Sequence, residues 1–140
     1  MSIKPIFARQ IYNKVKGYEL RRKLFPLVKG DRIILYETSP VKSITGEFIA
    51  GEVKELEPEE VLSLIRKGVL QGCDDLDVPY VVGRRKVLVI EVKCPKLFKH
   101  QLSLSHLRRL VKGFRPPRSY MVVKNEKLIK VIEMWSREYG

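Results

Sequence analysis

The run Lys14-Val15-Lys16-Gly17-Tyr18-Glu19-Leu20-Arg21-Arg22 packs several cations and one carboxylate into a short space. From Tyr18 to Arg22 apolar and charged residues alternate. A strand turns successive side chains to opposite faces, so this alternation predicts a strand. Glu19 and Arg21 then share one face, and Tyr18, Leu20 and Arg22 point to the other. A carboxylate beside an arginine on a rigid element is how a site holds a guanidinium in a fixed direction. The same spacing suits a surface ion pair worth about 0–1 kcal/mol. The stretch alone leaves both readings open.

Working outward, Lys4 to Phe7 reads as a short extended opening. Arg9 to Lys16 reads as a short helix, with Ile11 and Val15 on one side and Gly17 as its C-terminal stop. On the other side, Lys29-Gly30-Asp31 is a turn signal. Arg32 to Glu37 is β-branched and aromatic and predicts a buried strand, broken by Thr38-Ser39-Pro40. Lys42 to Val53 predicts a strand or bent pair, with Gly46 and Gly51 as places for bulges. Glu57 to Lys67 carries the clearest helix: Pro58 and the early glutamates suit its first turn, Arg66 and Lys67 its last, and Gly68 ends it.

Leu70 to Gly83 has no period, and it gathers Asp74, Asp75 and Asp77. Lys86 to Val92 predicts a central strand that Pro95 ends. Leu102 to Val111 reads as a helix, Gly113, Pro116 and Pro117 as a rigid connection, and Ser119 to Val123 as a final strand. Asn125 suits the N-cap of a closing helix from Glu126 to near Glu138, burying Ile129, Ile132 and Trp135. Strands do not alternate with long crossover helices, so a doubly wound parallel sheet does not fit. The expected class is α+β, mostly β: a small antiparallel barrel with short helices packed around it. One domain should span residues 1–140, with the barrel over about 3–123 and the closing helix over about 126–138.

The composition is that of a globular chain, 44% hydrophobic and 31% charged, but its net charge is +12. Cations concentrate in two runs: Lys4 to Lys29, including Lys23, and Arg84 to Arg118. Gly46 to Asp77, between them, is acidic on balance. If the two runs meet, they form a positive face that attracts phosphates through counterion release. A polyanion is the expected partner, with nucleic acid ahead of an anionic membrane surface. Tyr18, Tyr36, Phe114 and Tyr120 lie near these cations; they can stack on unpaired bases or fill the core.

No stretch approaches the ~18 consecutive apolar residues of a membrane span, and no signal-peptide run opens the chain. A cytoplasmic protein is expected. Cys73 and Cys94 lie far apart and outside any CxxC pair, which in a reducing compartment predicts free thiols. With His100 and His106 they fit no zinc spacing, so neither a metal nor another cofactor is expected.

The spacing Lys16-x-x-Glu19-x-Arg21, with a helix before it and a strand carrying it, resembles the signature of ASCH domains, small β-barrel modules related to the PUA domain. Lys29-Gly30-Asp31-Arg32 before an apolar strand, Leu35-Tyr36-Glu37-Thr38-Ser39-Pro40, the glycine-marked Ile44 to Val53, and Phe114-Arg115-Pro116-Pro117-Arg118-Ser119-Tyr120 are similar to that family in the same order. The resemblance covers roughly Lys4 to Val123. It implies a pseudo-barrel with a cleft beside the early helix, lined by Lys16, Glu19 and Arg21, with Arg22, Arg115, Arg118 and Tyr120 as further ligand contacts. RNA or another nucleotide-bearing ligand is the implied occupant. The family often has glycine two residues before the motif lysine; Lys14 stands there in this chain.

Some ASCH proteins are amidohydrolases that remove an acyl group from a modified cytidine, using the motif lysine, a threonine three residues later and a separate glutamate. Glu19 replaces that threonine here, and a carboxylate beside Lys16 should keep its amine charged. Were the protein an enzyme, Lys16 and Glu19 would be its catalytic residues. The expected function is an RNA-binding or nucleic-acid-binding module with a regulatory role linked to transcription or translation. The alternatives are a nucleoside amidohydrolase acting on acylated cytidine and a protein-interaction module in a transcription complex.

Overall fold

The computed structural model describes residues 1–22, 24–83 and 85–140; Lys23 and Arg84 of the two basic runs lie outside the described residues. The element order is β1 (Ser2–Ile3), α1 (Pro5–Tyr12), β2 (Tyr18–Arg21), β3 (Arg32–Glu37), β4 (Ser43–Leu56), α2 (Pro58–Arg66), a 3-10 turn (Val78–Tyr80), β5 (Val87–Ser103), α3 (Leu104–Leu110) and α4 (Glu126–Tyr139). The strands form one sheet in the order β1-β3-β4-β5-β2. β1 runs parallel to β3, with Ser2 opposite Tyr36, and β2 runs antiparallel to β5, with Glu19 opposite Ile90 and Arg21 opposite Leu88. The expected α+β architecture is present, as a mixed sheet whose order ends at β1 and β2 rather than closing into a ring.

Several boundaries differ from the sequence reading. The first helix begins at Pro5, a residue suited to the first helical position because the helix needs no N–H there. It ends at Tyr12, and the stop is Lys14 rather than Gly17. Lys14 is left-handed, with φ of 60°. Its N–H donates to Ile11 O and the Val15 N–H to Gln10 O, the bond pair of a Schellman motif. Pro95 does not end β5, which continues to Ser103. Cys94 beside it takes a φ of 50°, so a local kink absorbs the residue that cannot donate to the ladder.

The expected strand over Ser119–Val123 is not a strand. Pro116 and Pro117 lack N–H donors, and the segment is instead held at its start: Ser2 Oγ donates to Pro117 O at 2.6 Å and the Ser2 N–H to Ser119 O at 2.8 Å. The closing helix is capped as expected, with Asn125 Oδ1 accepting the Leu128 N–H at 3.0 Å. Its buried face is Leu128, Val131, Ile132 and Ser136; Ile129 and Trp135 are half-buried at its margin.

The backbone groups into two compact units. The first comprises Met1–Ala8, Ile33–Glu47 and Lys96–Gly140. Its core gathers Tyr36, Ile44, Phe98, Leu102, Leu107 and Phe114 with the inner face of α4. The second comprises Arg9–Arg32 and Phe48–Pro95. Its core is Leu20, Val61, Leu70, Cys73, Val81, Val87 and Val89. Each fully buried aliphatic side chain contributes about 1.5–3 kcal/mol relative to exposure. This second core is what holds β2 in place. Among the described residues, no helix is long and apolar enough to cross a membrane.

Candidate anion-binding site

The alternation in β2 is realised as predicted. Tyr18 and Leu20 pack into the core of the second unit. On the other face Arg21 Nη1 donates to Glu19 Oε2 at 3.2 Å. This is not a surface pair: the Arg21 side chain is 14% exposed and that of Glu19 is 5%. Burial pushes the Glu19 carboxyl above its ordinary range, and the neighbouring Arg21 and Lys16 only partly offset that.

Lys16 lies between α1 and β2, its N–H donating to Gln10 O at 3.0 Å. Its side chain is wholly enclosed. Nζ donates to Asp77 Oδ1 and lies 3.7 Å from Cys73 Sγ. Burial on its own would depress the ammonium, but Cys73, Glu19 and Asp77 together outweigh it and hold Lys16 above its usual value. Burial also pushes the Cys73 thiol up to about 12.

Asp77 comes from the stretch that showed no sequence period. Its second oxygen, Oδ2, accepts the Asp74 N–H at 3.0 Å, and its own carbonyl accepts the Tyr80 N–H at 2.9 Å to close the 3-10 turn. This stretch meets the Lys16 backbone directly: the Gly17 N–H donates to Gln71 O at 2.9 Å. Gly72, with φ of 79°, sits so close that a Cβ there would lie 2.1 Å from Val15 O.

Around this buried cluster the second unit carries exposed cations. Arg22 stacks its guanidinium over the Tyr80 ring at 5.0 Å. Arg21 pairs with Leu88, near the start of β5, and just before that strand Arg85 and Lys86 are exposed. The end of the first basic run and the start of the second thus belong to paired strands. Of the remaining expected contacts, Arg115 and Arg118 are exposed and Tyr120 is half-buried. They belong to the first unit. The sequence reading missed Cys73, Asp77 and Tyr80 as members of the cluster. Nothing in the local sequence separates Asp77 from Asp75, since each directly precedes an apolar residue, Val78 and Leu76. Among the described residues, no group of three or more His, Cys, Asp or Glu is arranged to hold a metal ion. Cys73 and Cys94 are free thiols, the first buried and the second exposed.

This arrangement of sheet, helices and closing helix is shared with solved structures. The crystal structure of ASCH from Zymomonas mobilis superposes with a TM-score of 0.81 and 24% identity, covering 96% of this chain and 92% of that one. A tyrosine-to-phenylalanine mutant of that protein gives 0.81 at 23% identity, with 96% and 95% covered. A serine-to-alanine mutant gives 0.80 at 23%, with 96% and 93% covered. The chain has the ASCH fold. At this level of identity the shared property is the fold, and it extends past the expected Val123 boundary to take in α4. No protein-family model and no curated protein matches the sequence. Within the ASCH fold, the Lys16-x-x-Glu19-x-Arg21 motif is the buried charge cluster of the second unit, and its carboxylates include one, Asp77, that lies outside the motif.

Proposed function

We propose that this ASCH-fold protein is a nucleic-acid-binding module, RNA ahead of DNA, with a regulatory role linked to transcription or translation. The observation that carries the reading is the β2–β5 register, which puts Arg21 opposite Leu88, two residues past Lys86, in a chain of net charge +12. Such clustered guanidinium and ammonium groups bind phosphates by releasing condensed counterions. Glu19 fixes the direction of Arg21, and Lys16 supplies a buried positive charge behind them. Arg115, Arg118 and Tyr120 are proposed as further contacts on the first unit.

The amidohydrolase reading needs a lysine with a free lone pair as general base. Lys16 is held as an ammonium hydrogen-bonded to Asp77, which argues for recognition rather than proton abstraction. The test is titration of the full chain against labelled single-stranded and hairpin RNA at several salt concentrations. Binding should weaken steeply with salt and weaken further in Arg21→Ala. No binding at low salt, or binding indifferent to Arg21→Ala, would overturn the proposal.

A further inference from the structure

We propose that Asp77 is a built-in surrogate for the ligand's anionic group, and that the strap Asp74–Tyr80 lifts it off Lys16 when a phosphate takes its place. This rests on the reading above that the ligand bears phosphate. The strap is bonded to itself. The Asp74 N–H donates to Asp77 Oδ2 at 3.0 Å, the Leu76 N–H to Asp74 Oδ1 at 3.0 Å, the Asp77 N–H to Asp74 O at 3.0 Å and the Tyr80 N–H to Asp77 O at 2.9 Å. It can therefore move as one piece. Its ends are fixed by Cys73 and Val81, both buried in the core of the second unit.

Between those ends the strap grips the site through two cations. Asp77 Oδ1 accepts from Lys16, and Tyr80 lies under Arg22. Both cations are ones the nucleic acid would claim. Asp74 and Asp75 are exposed on the same strap, which gives it a local excess of negative charge. A buried ion pair is weak as a stability device, since an apolar pair of similar volume serves as well or better. A phosphate oxygen can replace the Asp77 carboxylate on Lys16 bond for bond, and the displaced strap exposes the cluster.

Hydrogen exchange of the strap amides, followed by mass spectrometry on the full chain, tests this. In Asp77→Asn the strap should exchange about tenfold faster or more while the protein stays folded by circular dichroism. Lys16→Met/Asp77→Asn, which removes both charges and keeps a side-chain oxygen for the Asp74 N–H, should restore slow exchange. Equal exchange in Asp77→Asn and the unsubstituted protein, or fast exchange in the double variant, overturns the proposal. A labelled RNA oligonucleotide should bind Asp77→Asn several-fold more tightly and speed strap exchange in the unsubstituted chain; slower strap exchange on binding overturns the idea. If no RNA binds, the nucleic-acid reading fails by itself. Inorganic phosphate against chloride at equal ionic strength then decides the strap: faster exchange supports it and unchanged exchange overturns it.

Discussion

Lys16 Nζ donates to Asp77 Oδ1 across 61 positions of sequence, and neither side chain is more than 4% exposed. Removing one partner strands the other charge in a poorly solvated place. Lys16→Met and Asp77→Leu alone should each lower the unfolding free energy by about 3–5 kcal/mol. The double variant should lose far less than the sum of the two. Urea denaturation of the four proteins measures this, and additive losses would contradict a coupled pair.

Lys14 occupies the left-handed C′ position of the Schellman motif that ends α1, with φ of 60°. A β-carbon there is unfavourable by about 1–2 kcal/mol. Lys14→Gly should therefore stabilise the protein, by up to ~1 kcal/mol once the extra chain entropy of glycine is subtracted. A rise in Tm is the expected result. The resemblance to ASCH sequences had already marked this position as one where glycine is common.

Gly72 presents the opposite case. Its φ is 79°, and a Cβ would lie 2.1 Å from Val15 O and 2.5 Å from the Lys16 Cα. Gly72→Ala combines a disfavoured backbone with a clash against main chain, which cannot rotate away. A loss of about 2 kcal/mol or more is expected, read as a fall in the urea midpoint.

Glu19 makes stability depend on pH with a definite sign. Its folded-state pKa is raised above the ordinary carboxyl value of 4.5, first because it is buried. Between 4.5 and that raised value the folded protein holds a proton that the unfolded chain has lost, so stability falls as pH rises through this window. Glu19→Gln cannot titrate and should lack this component. The stability difference between the two proteins should therefore shift toward the variant as pH increases from 4.5 toward neutrality. A difference independent of pH would mean that Glu19 titrates alike in both states.

Cys73 extends the argument to alkaline pH. Its thiol moves from 9.0 to about 12 on folding, chiefly through burial. The unfolded chain thus gives up this proton first, and stability is lost progressively between about pH 9 and 12. At pH 8 a maleimide should label the exposed Cys94 and leave Cys73 unmodified until urea is added. Rapid double labelling of the folded protein would contradict the enclosure of Cys73.

The strand at the centre of the site was legible because β2 turns its apolar residues into a core and its charged pair to the other face, which writes a period of two into the sequence. α2 and α4 were legible for a similar reason: Pro58 and Asn125 mark their starts chemically. Pro95 misled because a proline ends a strand only where its missing N–H matters, and the Cys94 kink removes that need. Asp77 was hidden for a deeper reason. Its partner lies 61 residues away, and a solvated aspartate and one facing a buried lysine look alike in a loop with no period. The buried charge cluster was therefore half visible, as the residues of one strand, and half invisible, as the strap that meets them.

Trp135 is the only tryptophan in the chain. Its Nε1 donates to His100 O at 2.7 Å, and it lies edge-on to His106 at 5.5 Å between ring centroids. All three residues belong to the first unit, while Cys73 belongs to the second. Nature has thus placed an optical reporter in one unit and a chemical one in the other. Indole emission and thiol labelling, followed along a single denaturant series, would each watch a different half of the chain. Whether the two curves coincide would reveal whether this protein melts as one cooperative body or in two stages.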